Sequence, residues 1–271
     1  MLSFPDIVTV ARGELAATFR GRRGWLLALA LFLLGAIPSL LRLLGQHSAQ
    51  AAELHRAHAA ALVKIYDRDI ARALLDCPPV LVVVALATFF FQPLIVLFAG
   101  SDRLAAEIDS GSIRFWTVRA PRAEIVVGKM LGLWAVVSLL TIGVQAAITV
   151  VAIVDQPRDW VWTLRWAAEI MLYSSASALV YASLCTFLSV VLARPRLVFL
   201  LGFGVVFALR IARTVLRERD ATRLASMVPG ALDQLFLSAG AGPKLAATAV
   251  VAGWSLALMT GAALVFQRRS V

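Results

Sequence analysis

Six apolar runs divide the chain: Trp25–Leu44, Val80–Gly100, Leu131–Val154, Trp162–Leu192, Leu197–Ile211 and Leu245–Phe266. Most are close to the ~20 residues that a helix needs to cross the hydrocarbon of a bilayer. In hydrocarbon the backbone must satisfy its own hydrogen bonds, so each run predicts a transmembrane helix. The pattern therefore predicts an all-α polytopic membrane protein with six spans. Residues 1–23 precede them. There Phe4, Val8, Ala11, Leu15 and Phe19 recur at three- and four-residue spacing, while Asp6, Thr9, Glu14 and Arg20 stay off that stripe. Such a stripe beside a span predicts an amphipathic helix lying in the membrane interface.

The polar stretches between the runs differ in character. Residues 45–79 are Ala-rich and read as one or two helices outside the membrane, stopped by Pro78-Pro79. All three histidines, His47, His55 and His58, lie there. With Glu53 they read either as a weak metal site or pH sensor, or as a solvated helix face. Residues 101–130 form the longest charge-dense connector, with both signs and Gly111 in its middle, and read as a docking surface rather than a turn. Met227–Ala239 is apolar but broken by Pro229-Gly230 and holds Asp233. It reads as a short re-entrant or interfacial piece, following a basic amphipathic segment over Arg210–Arg223.

Within the spans, polar residues are sparse. Gln92 precedes Pro93, whose missing N–H leaves a carbonyl that neighbours or water must repair. Gln92, Gln145, Ser177 and Tyr181 either line a pathway or make helix-packing hydrogen bonds. Gly128 and Gly132 form a GxxxG spacing, a weak signal for close helix contact. Arg165 and Glu169 are one turn apart and predict a local ion pair.

Composition narrows the class. The chain of 271 residues is 61% hydrophobic and 15% charged, too apolar for a soluble domain. Its net charge of +10 points to bilayer orientation and anionic headgroups, not to nucleic acid. Cys77 and Cys185 lie far apart without metal or redox spacing and read as packing residues. The first apolar run begins only after several charges, so it reads as a permanent span and not a cleaved leader. Six spans put both ends on one side. Arg194, Arg196, Arg268 and Arg269 mark that side as cytoplasmic, which makes 101–130 cytoplasmic and 45–79 extracytoplasmic.

No chemical engine is written in the chain. Gly128-Lys129 is followed by Met130 and lacks the upstream glycine of a phosphate loop. No HExxH, no GxSxG and no pair of carboxylates within the spans occurs. Energy must then come from another polypeptide, and no catalytic, cofactor or metal residue is expected here.

The central connector resembles a known family. Glu107-Ile108-Asp109-Ser110-Gly111-Ser112-Ile113, followed by Arg119-Ala120-Pro121-Arg122 and Gly128-Lys129-Met130-Leu131, resembles the permease subunits of ABC-2 type transporters. The resemblance implies that residues 1–271 are one such transmembrane domain in a bacterial-type inner membrane. It also implies a coupling helix over Asp102–Ile108, with Asp102, Arg103, Glu107, Asp109, Gly111, Arg114, Phe115 and Trp116 meeting an ATPase. Two ATPase copies would bind ATP and magnesium, and a second permease copy or a relative would complete the path. The implied function is an exporter subunit moving an amphiphilic drug, lipid or peptide. The alternative is a membrane subunit transmitting force to an envelope partner through 45–79 without moving a solute.

Overall fold

A computed structural model describes residues 4–20, 33, 62, 66, 68–118, 120–155, 157–219, 221–238 and 240–269. Every regular element among them is helical. In chain order they are α1 (Phe4–Arg20), α2 (Arg68–Leu75), α3 (Pro79–Gly100), α4 (Arg103–Asp109), α5 (Arg114–Thr117) and α6 (Arg122–Asp155). After a turn come α7 (Trp160–Leu192), α8 (Pro195–Glu218), α9 (Thr222–Ser226), α10 (Leu232–Leu237) and α11 (Ala241–Arg268). Five stretches are long and apolar enough to cross a membrane: Pro79–Asp109, Arg122–Val154, Trp160–Leu192, Pro195–Glu218 and Ala241–Arg268. They correspond to the second to sixth apolar runs. The first, Trp25–Leu44, lies outside the described residues, as do His47, His55 and His58.

Prolines set the helix starts. Pro79 opens α3 and Pro195 opens α8 at the first turn, where a missing N–H costs nothing. Between α7 and α8 the chain reverses through Ala193, held at φ 53°, with its N–H on the Ser189 carbonyl. α7 is the hub of the bundle, packed against α6, α11, α3 and α8. Its stripe of small residues makes this possible: Ser174, Ser177, Ala178, Ala182 and Cys185 are all buried. Gly100 and Gly202 admit leucines from neighbouring helices, for a Cβ there would fall 2.4 Å from Leu133 and 2.5 Å from Leu97.

Two helix boundaries depart from the hydropathy pattern, for one reason. α6 starts at Arg122, well before Leu131, and α8 runs on to Glu218, well past Ile211. In both extensions charged side chains are paired inside the bundle, so polarity did not mark the end of the helix. The N-terminal helix is rotated relative to its apolar stripe. Ile7, Val10 and Thr18 are buried against the bundle, whereas Phe4 and Phe19 are exposed. α1 packs along α6 with Glu14 turned inward, and leaves the stripe of Phe4 and Phe19 to the surroundings. A carboxylate must find cations, while phenyl rings are satisfied by lipid.

The described part of the Met227–Ala239 segment, residues 227–238, folds into two short helical turns packed on the bundle. Three of its carbonyls are caught by three helices: Trp254 of α11 donates to Met227 at 2.9 Å, Tyr181 of α7 to Pro229 at 3.3 Å, and Arg213 of α8 to Gly230 at 2.7 Å. Gly230 presses on the Leu209 and Arg210 backbone, where a Cβ would sit 3.1 Å from the Leu209 carbonyl. Phe236 stacks between Phe89 and Tyr173. Asp233 pairs with Arg213 at 3.1 Å and accepts from the Tyr66 hydroxyl at 3.4 Å. Burial, reinforced by Asp233, holds the Tyr66 phenol well above its usual range, so it stays a donor. Arg213→Ala is expected to lower stability by about 1–2 kcal/mol, because Asp233 loses its cation in a partly buried site. Thermal unfolding in nanodiscs measures this, and Arg213→Lys should recover part of the loss.

The two cysteines are free and buried. Burial, helped by Asp76, pushes the Cys77 thiol up to about 12, so it remains a thiol at neutral pH. At the far end of the bundle, Arg165 meets Glu169 at 3.5 Å as its spacing predicts. Lys244 adds a closer contact to the same carboxylate at 2.7 Å, which no local spacing signals.

Candidate coupling site

The connector between α3 and α6 folds as two short helices on the end of the bundle. α4 turns at Ser110 into Gly111, which takes φ 71°, a left-handed conformation that favours glycine. Leu104 and Ile113 then plug downward into a cluster with Ile125, Val126, Val190 and Phe266. Two buried side chains, one before and one after the glycine turn, therefore fix the connector to the bases of α6, α7 and α11. What remains outside is the tip. Asp109, Ser110 and Arg114 are exposed, and Phe115 is 79% exposed.

Beneath the tip lies an ionic cluster drawn from four elements. Lys129 of α6 is only 3% exposed and binds two carboxylates, Glu14 of α1 at 2.6 Å and Glu107 of α4 at 2.7 Å. Arg103 of α4 approaches the other Glu14 oxygen at 3.0 Å and donates to the Thr18 hydroxyl of α1. Its Nε donates to the Ala99 carbonyl at 2.9 Å, which ties it to the last turn of α3. Two cations thus face two carboxylates with little water. A buried pair of this kind is weak as a net stabiliser but costly to break from one side. The Trp116 ring covers Lys129 at 5.6 Å and lies against Gly13 of α1.

Small residues let α1 in. A Cβ at Gly128 would lie 2.7 Å from the Val10 Cβ, and one at Gly132 would lie 2.6 Å from the Glu14 Cβ. The GxxxG spacing therefore serves the N-terminal helix, at the depth where Lys129 meets Glu14. Nearby, Arg122 donates from Nη1 to three carbonyls at the end of α11: Phe266 at 3.2 Å, Gln267 at 3.2 Å and Arg269 at 2.6 Å. Arg269 in turn donates to the Val190 carbonyl of α7. The connector is thus roped to the last span as well.

The eight residues expected at an ATPase contact divide into two sets. Arg103, Glu107 and Trp116 face the bundle and hold the connector to α1 and α6. Asp109, Arg114 and Phe115 face outward around Gly111, and Asp102 takes the N-cap position of α4. Glu14 and Thr18 carry no motif, and only a three-dimensional contact reveals their part. The four candidates for a pathway sit between helices of this one chain. Gln92 donates to the Ser174 carbonyl at 2.7 Å and accepts from Ser177, and Gln145 reaches Thr88 and Ser174 at 3.5 Å. Tyr181 stands apart, its hydroxyl on the Pro229 carbonyl at 3.3 Å. Among the described residues no group of three His, Cys, Asp or Glu is close enough to hold a metal ion.

A family model described as ABC-2 family transporter protein matches residues 8–271. No curated protein matched the chain. The match runs from α1 through the connector to the last span, so the chain belongs to the ABC-2 transporter family, as a multi-pass membrane subunit that is not itself an ATPase.

Proposed function

We propose that this chain is the permease subunit of an ATP-driven exporter, joined to two separate ATPase chains through the exposed tip of residues 109–115. ATP and magnesium act on those partners. Two copies of the permease, or this chain and a relative, enclose the path in a bacterial-type inner membrane with both termini cytoplasmic.

One observation carries the reading: Lys129 holds α1, α4 and α6 together while Asp109, Arg114 and Phe115 are left outward. A lever needs a rigid attachment and a free handle, and the connector has both. A push on the tip moves α4, and the ionic cluster passes that displacement to α1, α3 and α6. Arg122 passes it to the end of α11. The connector then works as a lever on four elements at once, with no chemistry of its own.

Phe115 is the apolar anchor expected at the centre of such a contact. Phe115→Ala should weaken binding of the ATPase about tenfold, roughly 1.4 kcal/mol. Its thermal unfolding should match the wild type, because the ring is exposed. Affinity of the purified ATPase for the permease in nanodiscs measures the effect, and an unchanged affinity would remove the tip from the interface.

A specific contact also favours force transmission outward. Leu62, Tyr66, Ile70 and Leu74 pack into one cluster with Leu232 and Phe236 of α10. The described part of segment 45–79, Leu62, Tyr66 and residues 68–79, is thereby coupled to the turn held by α7, α8 and α11. Co-purification of an extracytoplasmic protein on that segment, with no transport in vesicles, would favour this second reading over export.

A further inference from the structure

The structure holds a cation that the lever does not use. Arg210 lies inside α8, and its Nη2 donates to the Phe89 and Phe90 carbonyls of α3, each at 3.2 Å. Those two residues stand at the middle of the helix Pro79–Gly100, about 15 Å from either end. The guanidinium also covers the Phe90 ring at 4.6 Å. Helical side chains lean toward the N-terminus of their own helix. In α8 that direction carries Arg210 toward the membrane centre and away from the far headgroups.

Part of this arrangement is structural. Pro93 has no N–H, so the Phe89 carbonyl four residues earlier has lost its helical donor, and Arg210 supplies one. A neutral amide would do the same. A permanent charge at the centre of a span is costly, and such residues mark pathways. The neighbouring charge is accounted for: Asp233 gives one oxygen to Arg213 and the other to Tyr66. Among the described residues no carboxylate pairs with Arg210, which is held by two carbonyls and a ring instead. These contacts stabilise the charge without neutralising it. Phe90 beneath it is exposed, and so are Phe207 and Phe203, three and seven residues before Arg210 on α8 and therefore on its face, their rings stacked at 6.4 Å.

We propose that Arg210, with Phe90, Phe203 and Phe207, recognises a lipophilic organic anion in transit: a carboxylate, phosphate or sulfonate on an apolar or aromatic body. The depth of the guanidinium selects cargo over resident lipid, whose phosphate stays at the headgroup plane. This deepens the exporter reading and rests on it, but the binding step requires no ATPase.

The test uses the full chain in phosphatidylcholine nanodiscs, with empty nanodiscs subtracted. Equilibrium dialysis compares 1-pyrenesulfonate with the neutral 1-pyrenemethanol. The wild type should prefer the anion about tenfold or more. Arg210→Gln keeps a donor for the Phe89 carbonyl and should erase that preference at an unchanged unfolding temperature. Arg210→Lys should retain most of it. A preference that survives Arg210→Gln, or that is absent from the wild type, overturns the proposal. So does displacement of 1-pyrenesulfonate by phosphatidylglycerol doped into the disc, since that would make the site a headgroup site. Failure of the ATPase contact would leave this binding intact, so the two readings fail separately.

Discussion

Lys129→Met is expected to destabilise the folded permease by about 3–5 kcal/mol, the cost of removing one partner from a buried ionic cluster. The substitution conserves much of the side-chain volume, so packing is not the cause. It leaves Glu14 and Glu107, both now bound to the same ammonium at 2.6 and 2.7 Å, as two carboxylates near each other with Arg103 as the remaining cation. α4 and α1 should then separate. Thermal unfolding in nanodiscs should fall, and ATP hydrolysis by the assembled complex should lose its dependence on the permease. The double variant Lys129→Met, Glu107→Gln removes the stranded carboxylate while keeping the Arg103–Glu14 pair, and should recover much of the stability. It should not recover coupling, because the lever has lost its rigid attachment. A Lys129→Met protein as stable as the wild type would show that the cluster does not hold the connector.

Gly128→Leu is expected to expel α1 from the bundle. A Cβ at this position meets the root of Val10 at 2.7 Å and the Ile7 carbonyl at 3.0 Å, neither of which can swing aside. Overpacking against backbone lies at the upper end of its usual range, about 3 kcal/mol. The cost spreads, since displacement of α1 withdraws Glu14 from both Lys129 and Arg103. A cysteine placed at Val10, buried in the wild type, should become reactive to aqueous thiol reagents in the Gly128→Leu background. Gly143→Leu is the control on the same helix, where a Cβ meets nothing within 4 Å. Equal behaviour of the two variants would contradict the close contact.

The second to sixth apolar runs were legible as long helices because hydrocarbon imposes a length and a composition on any helix that crosses it. The connector was legible through its motif, whose glycine takes the left-handed turn at Gly111 and whose lysine is the centre of the ionic cluster. The face of α1 was not. Its apolar stripe points to where lipid would be, and the packed face is mixed, with Ile7 and Val10 beside Glu14 and Thr18. Periodicity reports the apolar side of a helix, and in a membrane that side need not be the one that meets protein. The reach of α8 was hidden for a related reason. Arg210 and Arg213 read as the start of a basic amphipathic segment, yet one is held by α3 and the other by the turn at Gly230. Arg122 shows a third limit. Its partners are carbonyls at the chain's other end, and backbone acceptors leave no trace in residue identity.

The same contacts explain why motif residues separate into an inner and an outer set. Glu107 and Asp109 are two positions apart, so on a short helix they cannot share a face. The first turns to Lys129 and the second to solvent. A reading that turns all the acids of the connector outward would miss that one of them ties α4 to α6.

The central claim is that another polypeptide grips the exposed tip of the connector. Incorporation of a benzophenone amino acid in place of Phe115, in the complete complex in membranes, tests it most directly. Irradiation should yield a covalent adduct between the permease and the ATPase chain, while the same group at Trp160, exposed at the far end of the bundle, should yield none. An assembled, ATP-hydrolysing complex that forms no adduct at Phe115 would contradict the account.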